Sequence, residues 1–169
     1  MMRRILQGIW LLPWPAGVRR SLSKLAATPG VRALLLPQFM VGVVGLISDD
    51  RGRILLLRHT YRSDFPWGLP TGFLEHGEQP GRALLREISE ETGLDVELTG
   101  LCGVFSDLTR PHLEVVYRGK TRRGSFEPSL EIDEIRFCGP EDLPSLRPDQ
   151  LRLVRDALLS DKEMHETTA

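Results

Sequence analysis

Apolar residues recur along this chain in two rhythms, an unbroken or alternating one in short runs and a three-to-four one in longer stretches. Residues 40–47 form a valine-rich apolar run that predicts a buried strand. A turn, Asp49-Asp50-Arg51-Gly52, separates it from a second apolar run at 54–57, so the pair predicts a hairpin. Residues 58–70 predict a loop that ends in Trp67-Gly68-Leu69-Pro70. Pro80 and Gly93 bracket a helix over 81–92, one at the first turn and the other just past the last. Strands follow at 96–105, 112–117 and 132–138, and a helix over 148–159 has Leu151, Val154, Leu158 and Leu159 as its apolar stripe. Near the start, Val18, Leu22 and Leu25 at i, i+4 and i+7 predict an amphipathic helix over 16–27, and Pro29-Gly30 and Pro37 punctuate what comes next. Strands with hairpin-length connections mixed with helices point to an α/β (α+β) fold, a mixed β-sheet between helices, over a parallel doubly wound one. The expected division is an N-terminal helical extension over 1–39, a domain over 40–160 and a tail over 161–169.

Composition narrows the class. The 169 residues are 41% hydrophobic and 27% charged, which suits a soluble globular domain and neither a disordered segment nor a membrane bundle. A net charge of -1 lacks the basic excess of a dedicated nucleic-acid binder. Cys102 and Cys138 sit in apolar runs without zinc-type spacing, so they are expected as buried strand thiols in a reducing cytoplasm. The charge is uneven: Arg3, Arg4, Arg19, Arg20, Lys24 and Arg32 precede the first acidic residue, Asp49. The apolar residues 5–14 are too few to span a bilayer, and Pro13 and Pro15 break the run. The basic helix over 16–27 is expected to dock on its own domain or on a second copy in a homodimer. Contact with an anionic membrane surface and a removed targeting segment are the lesser alternatives.

The chemistry concentrates in residues 72–94, GFLEHGEQPGRALLREISEETGL. With Arg86 at the origin of the helical wheel, Glu90, Glu87 and Glu91 fall at about 40°, 100° and 140°, so three carboxylates share one side beside an apolar stripe. Like charges at these spacings oppose each other, and carboxylates at the C-terminal half of a helix are opposed by its dipole. A hard divalent cation relieves both, and oxygen-only ligands favour magnesium, manganese or calcium over zinc. The plainer alternative is a glutamate-rich helix that simply faces water.

The flanking residues shift that balance. Gly72, Glu78, Arg86, Glu87, Ile88, Glu90, Glu91, Gly93 and Leu94 fill the pattern G-x5-E-x7-R-E-U-x-E-E-x-G-U, with U aliphatic, and the stretch resembles the Nudix box without departure. The resemblance, covering about residues 40–160 with the fold, implies an enzyme: a pyrophosphohydrolase that uses Mg²⁺ or Mn²⁺ and attacks a phosphorus of a nucleoside diphosphate derivative with water. It implies Glu87, Glu90 and Glu91 as metal ligands with the Gly72 carbonyl, Arg86 as the residue orienting a glutamate, and Glu78 and Gly93 as structural. The general base is left between Glu87 and Glu90 of the box and Glu131 and Glu134 of a later loop. His112 and Glu114 are further residues that would face the same cleft. Pro70-Thr71-Gly72 departs from the commoner P-G-G before the box, and tolerance is expected because the box is intact.

Substrate identity lies outside the motif. Arg58 and Arg62 follow a core strand and are candidates for phosphate binding, Trp67 for stacking on a base, and Glu134 for substrate contact. A nucleotide sugar such as ADP-ribose ranks first, a nucleoside triphosphate second, and a lipid-linked diphosphate last. The rival class is a silent nucleotide-sensing module, which would normally have lost a box carboxylate or the arginine; none is lost here.

Overall fold

The computed structural model describes residues 15–31, 38–106 and 110–166. The apolar run 5–14, Arg3, Arg4, Arg32, Pro37 and the last three residues of the expected tail lie outside them. The chain divides into two units, Met1–Gln38 and Phe39–Ala169. In the first, helix α1 spans Ala16–Ala26, where the spacing of Val18, Leu22 and Leu25 predicts it.

The second unit contains strands β1 (Met40–Ser48), β2 (Ile54–His59), β3 (Trp67–Gly68) and β4 (Thr71–Phe73), then helix α2 (Pro80–Thr92). Strands β5 (Asp95–Ser106), β6 (His112–Arg123) and β7 (Ile132–Cys138) follow, and helix α3 (Pro148–Glu166) ends the described chain. Among the described residues the strands form one seven-stranded sheet in the order β3-β2-β1-β6-β5, with β4 also on β1 and β7 also on β2. The sheet is mixed: β1 runs parallel to β6 over nine residue pairs, from Met40↔His112 to Ser48↔Lys120, and antiparallel to β4 and β2.

Side-chain alternation along β1 builds two cores. Val43 and Ile47 join Leu55, Leu57, Ala83, Leu84 and Ile88, so this face packs on α2. Val44 and Leu46 join Ile54, Leu56, Trp67, Val154 and Ala157, so the other face packs on α3. The mixed sheet between helices is therefore what the pattern predicted.

Five details differ from the sequence reading. The strand expected at 112–117 continues to Arg123, where its second half pairs with the start of β5. The hairpin of β1 and β2 pairs only at its base, Ser48↔Ile54, because β4 takes the place beside the first half of β1. The expected loop 58–70 begins inside β2 and contains β3, since Leu57 and Arg58 pair with Gly68 and Trp67. The last helix continues past 159 to Glu166, through residues that contain neither proline nor glycine to stop it. Cys138 is buried, as expected, but Cys102 is exposed. Cys102 lies on β5, the edge strand of the path, whose register slips between Leu101 and Gly103, and Leu101, Val104 and Phe105 are exposed with it.

Candidate active site

Helix α2 is held at both ends by the chain's punctuation. Pro80 stands in its first turn, and Gly93 closes it with φ of 70°, a left-handed conformation that suits glycine. Ala83, Leu84, Ile88 and Thr92 are buried against the sheet, which leaves the carboxylate side of the helix facing away from the core.

Arg86 organises that side. Its Nε donates to Glu78 Oε1 at 3.1 Å and its Nη2 to Glu78 Oε2 at 3.2 Å, a two-point grip across the loop. Nη2 also donates to the Phe73 carbonyl at 3.3 Å, and Nη1 to Glu90 Oε2 at 3.2 Å. Glu87 Oε1 lies 3.2 Å from Nη1 and accepts the Phe73 N–H at 3.3 Å. Hydrogen bonding from Arg86 holds the Glu78 carboxyl below its usual range, and the same bond raises the Arg86 guanidinium. Gly72 allows the close approach: a Cβ there would lie 2.0 Å from Glu87 Cγ, so no other residue leaves Glu87 where it is.

The helix faces a cavity of about 450 Å³. Its floor is Gly42, Val43 and Val44 of β1 with Thr71, Gly72 and Phe73 of β4. Glu87 and Glu91 enter from α2, His112 and Glu114 from β6, and Glu131 from the residue before β7. Tyr61 and Arg62 come from the loop after β2, and Arg147 and Gln150 from the start of α3. Glu91 Oε2 is buried without a hydrogen-bond partner. Burial pushes its carboxyl up to about 7, and the charges of Glu87, Glu131 and Glu90 add to this while Arg62 opposes it.

The structure thus gathers Glu87, Glu91, Glu131, Gly72 and Arg62 on one cavity. Arg86 and Glu78 stand behind it as the loop-to-helix tie, Gly93 ends the helix, and Glu90 is spent on Arg86 with most of its side chain exposed. Arg58, Trp67 and Glu134 are placed elsewhere. Arg58 is paired with Asp133 at 2.8 Å and Glu134 at 3.3 Å along the β2–β7 ladder, and Arg136 also holds Glu134. Trp67 is buried in the α3-side core beneath the Arg136 guanidinium, 4.6 Å from the ring centre. Tyr61, Arg147 and Gln150 line the cavity without a motif that marks them.

The donors suit a hard divalent cation. All are oxygens, the wall is of one charge, and Glu91 presents a buried carboxylate oxygen with no proton donor to satisfy it. Among the described residues no three His, Cys, Asp or Glu side chains already stand together as a metal cluster; Glu87 and Glu90 are drawn to Arg86 and Phe73 instead.

Residues 38–157 match the NUDIX domain. A MutT-like protein of Streptomyces ambofaciens is 34% identical over 107 residues, spanning 63% of this chain and 68% of that protein. An ADP-ribose pyrophosphatase of Methanocaldococcus jannaschii is 31% identical over 120 residues, spanning 69% of this chain and 71% of that protein. Among solved structures, a UDP-X diphosphatase superimposes with a TM-score of 0.62 at 27% identity, covering 78% of this chain and 71% of its own. The chain belongs to the Nudix family, and within it to the pyrophosphohydrolases. Members of this family generally use divalent metal ions.

Proposed function

We propose that this chain cleaves the pyrophosphate linkage of a nucleoside diphosphate derivative, with a nucleotide sugar of the ADP-ribose type first and a nucleoside triphosphate second. The observation that carries the reading is the cavity that Glu87, Glu91 and Glu131 all line, with Glu91 Oε2 buried and unpartnered. The order of substrates rests on the relatives named ADP-ribose pyrophosphatase and UDP-X diphosphatase.

Glu87, Glu91 and the Gly72 carbonyl would hold Mg²⁺ or Mn²⁺, with Glu90 joining once released from Arg86. Such an ion neutralises charge on the phosphoryl oxygens and makes water a better nucleophile. Arg86 fixes the position of Glu87 through their contact and through Glu78, so the carboxylates are set before substrate arrives. Glu131 faces Glu91 from outside the helix and has no partner in the Arg86 network, which makes it the better placed general base; Glu134 is engaged by Arg58 and Arg136. Phe73 and His112, with ring centres 6.2 Å apart at the cavity wall, offer aromatic surface to a base.

A hydrolysis panel with the products separated by chromatography tests the reading, with Mg²⁺ or Mn²⁺ against ADP-ribose, UDP-sugars, dinucleoside polyphosphates and nucleoside triphosphates. Metal-dependent release of a nucleoside monophosphate and a sugar phosphate from a nucleotide sugar, lost in Glu91→Gln, is the expected result. Release that persists in Glu91→Gln or without metal overturns the site assignment, and preference for triphosphates overturns the order of substrates.

A further inference from the structure

The cavity has a second pole, opposite in charge to the carboxylates. Arg62 and Arg147 both line it, one from the loop after β2 and one from the residue before α3. Arg62 Nη1 and Arg147 Nε are buried and make no hydrogen bond, and neither ring nitrogen of His59, which is 2% exposed, has a partner. Arg62 and His59 meet Gln150 beside the backbone at Gly68. A Cβ there would lie 2.9 Å from Arg62 Nη1, 3.0 Å from Gln150 Oε1 and 3.4 Å from His59 Nε2.

The cluster is built rather than loose. Gln150, 3% exposed, accepts the Leu69 N–H at 3.1 Å and so anchors the first turn of α3 to the link between β3 and β4. Arg147 donates from Nη2 to Asp149 at 2.9 Å, which leaves Nε over. Arg62 lies across the Tyr61 ring at 5.6 Å from its centre. Burial, with the charges of Arg62 and Arg147 adding to it, pushes His59 down to about 4, so the ring stays neutral beside the arginines. Buried donors without acceptors are uncommon in folded proteins, and two guanidiniums facing a cavity match the oxygens of a phosphoryl group.

We propose that Arg62 and Arg147 form an anion subsite that takes the phosphoryl group of the substrate lying away from the carboxylate wall. It rests on the hydrolytic reading in that the diphosphate then spans the cavity, one phosphate at Glu87 and Glu91, the other at the arginines. Specificity follows: a substrate needs two phosphoryl groups in sequence, and a monophosphate or a neutral leaving group fills only one pole.

Binding of inorganic pyrophosphate and of inorganic phosphate, read as a rise in melting temperature in EDTA, tests the subsite without metal or turnover. The proteins are wild type, Arg62→Gln, Arg147→Gln, Arg147→Lys and, as a control for lost charge elsewhere, Arg122→Gln. Wild type and Arg122→Gln should be stabilised. Arg62→Gln and Arg147→Gln should need about 10–100-fold more of either anion for the same rise, and Arg147→Lys an intermediate amount. Circular dichroism of each variant shows that it is folded, and the two arginines lie on separate elements, so a fold defect in one leaves the other to read. An equal response in all five proteins, or none in wild type, overturns the subsite. Failure of hydrolysis would leave this result unmoved, because no step of the reaction is measured.

Discussion

Helices α2 and α3 lie on opposite faces of one sheet and both contribute to the cavity, yet they do so in different ways. α2 brings carboxylates from within a single stretch of helix, Glu87 and Glu91, one turn apart, of which Glu87 is braced by Arg86. α3 brings its first turn, where Gln150 ties to Leu69 and Arg147 stands just outside the helix. The acidic wall is local in the chain and the basic wall is assembled from residues 62 and 147, far apart in it. A wall made locally leaves a spacing that can be read along the sequence, whereas one made by packing leaves none.

The largest expected effect falls on the acidic wall. Glu91→Gln should lower turnover by about 10³-fold or more, as loss of a charge-stabilising group in an active site does. The same variant should be more stable than wild type in EDTA at pH 8. Glu91 titrates near 7 in the folded protein and near 4.5 unfolded, so ionising it costs stability as pH rises through that window. Removing the charge should return about 1–2 kcal/mol after allowance for solvent screening, measured by urea denaturation. A destabilised Glu91→Gln would mean that the wall is structural.

Gly72→Ala comes next. The added methyl would occupy the place of Glu87, so either Glu87 swings out or β4 shifts, with about 1–3 kcal/mol of overpacking and about 100-fold lower kcat. Wild-type rates in this variant would show that Glu87 does not need its place.

On the basic side the expected effects are smaller. His59 stays neutral down to about pH 4 when folded, while an unfolded chain takes up a proton near 6.5. Its contribution to stability is therefore complete above about 6.5 and falls as pH drops toward 4. In a His59→Gln variant the slope of stability against pH between those values should flatten; an unchanged slope removes His59 from the account. Arg58→Gln is the smallest: its partners Asp133 and Glu134 are exposed, so stability should change by under about 1 kcal/mol and KM by less than twofold. A large rise in KM would return Arg58 to the substrate's path.

The same contrast explains what could be read beforehand. Residues 40–47 were legible as a buried strand, because a sheet covered on both sides reads as an unbroken apolar run, but such a run does not say which helix each side chain meets. The ends of α2 were legible in Pro80 and Gly93, and its carboxylates in their turn-by-turn spacing. Arg58 and Trp67 looked as eligible as Arg62, since all follow the same strand. Only the pairing of β2 with β7 places Arg58 beside Glu134, and only the packing of α3 puts Trp67 in the core. Cys102 sat in an apolar run that was legible as a strand, but not as an edge strand with a slipped register.

The nine-pair parallel ladder between β1 and β6 has a consequence for how the enzyme comes into being. Strands 72 residues apart in sequence must wait for one another, and parallel pairing across such a gap is slow to nucleate. As the chain leaves the ribosome from its N-terminus, β1 emerges long before its partner, and Arg147 and Gln150 come later still. Catalysis is therefore born late: the helix with the carboxylates is synthesised early, but a closed pocket with both poles exists only after the last helix has begun to dock.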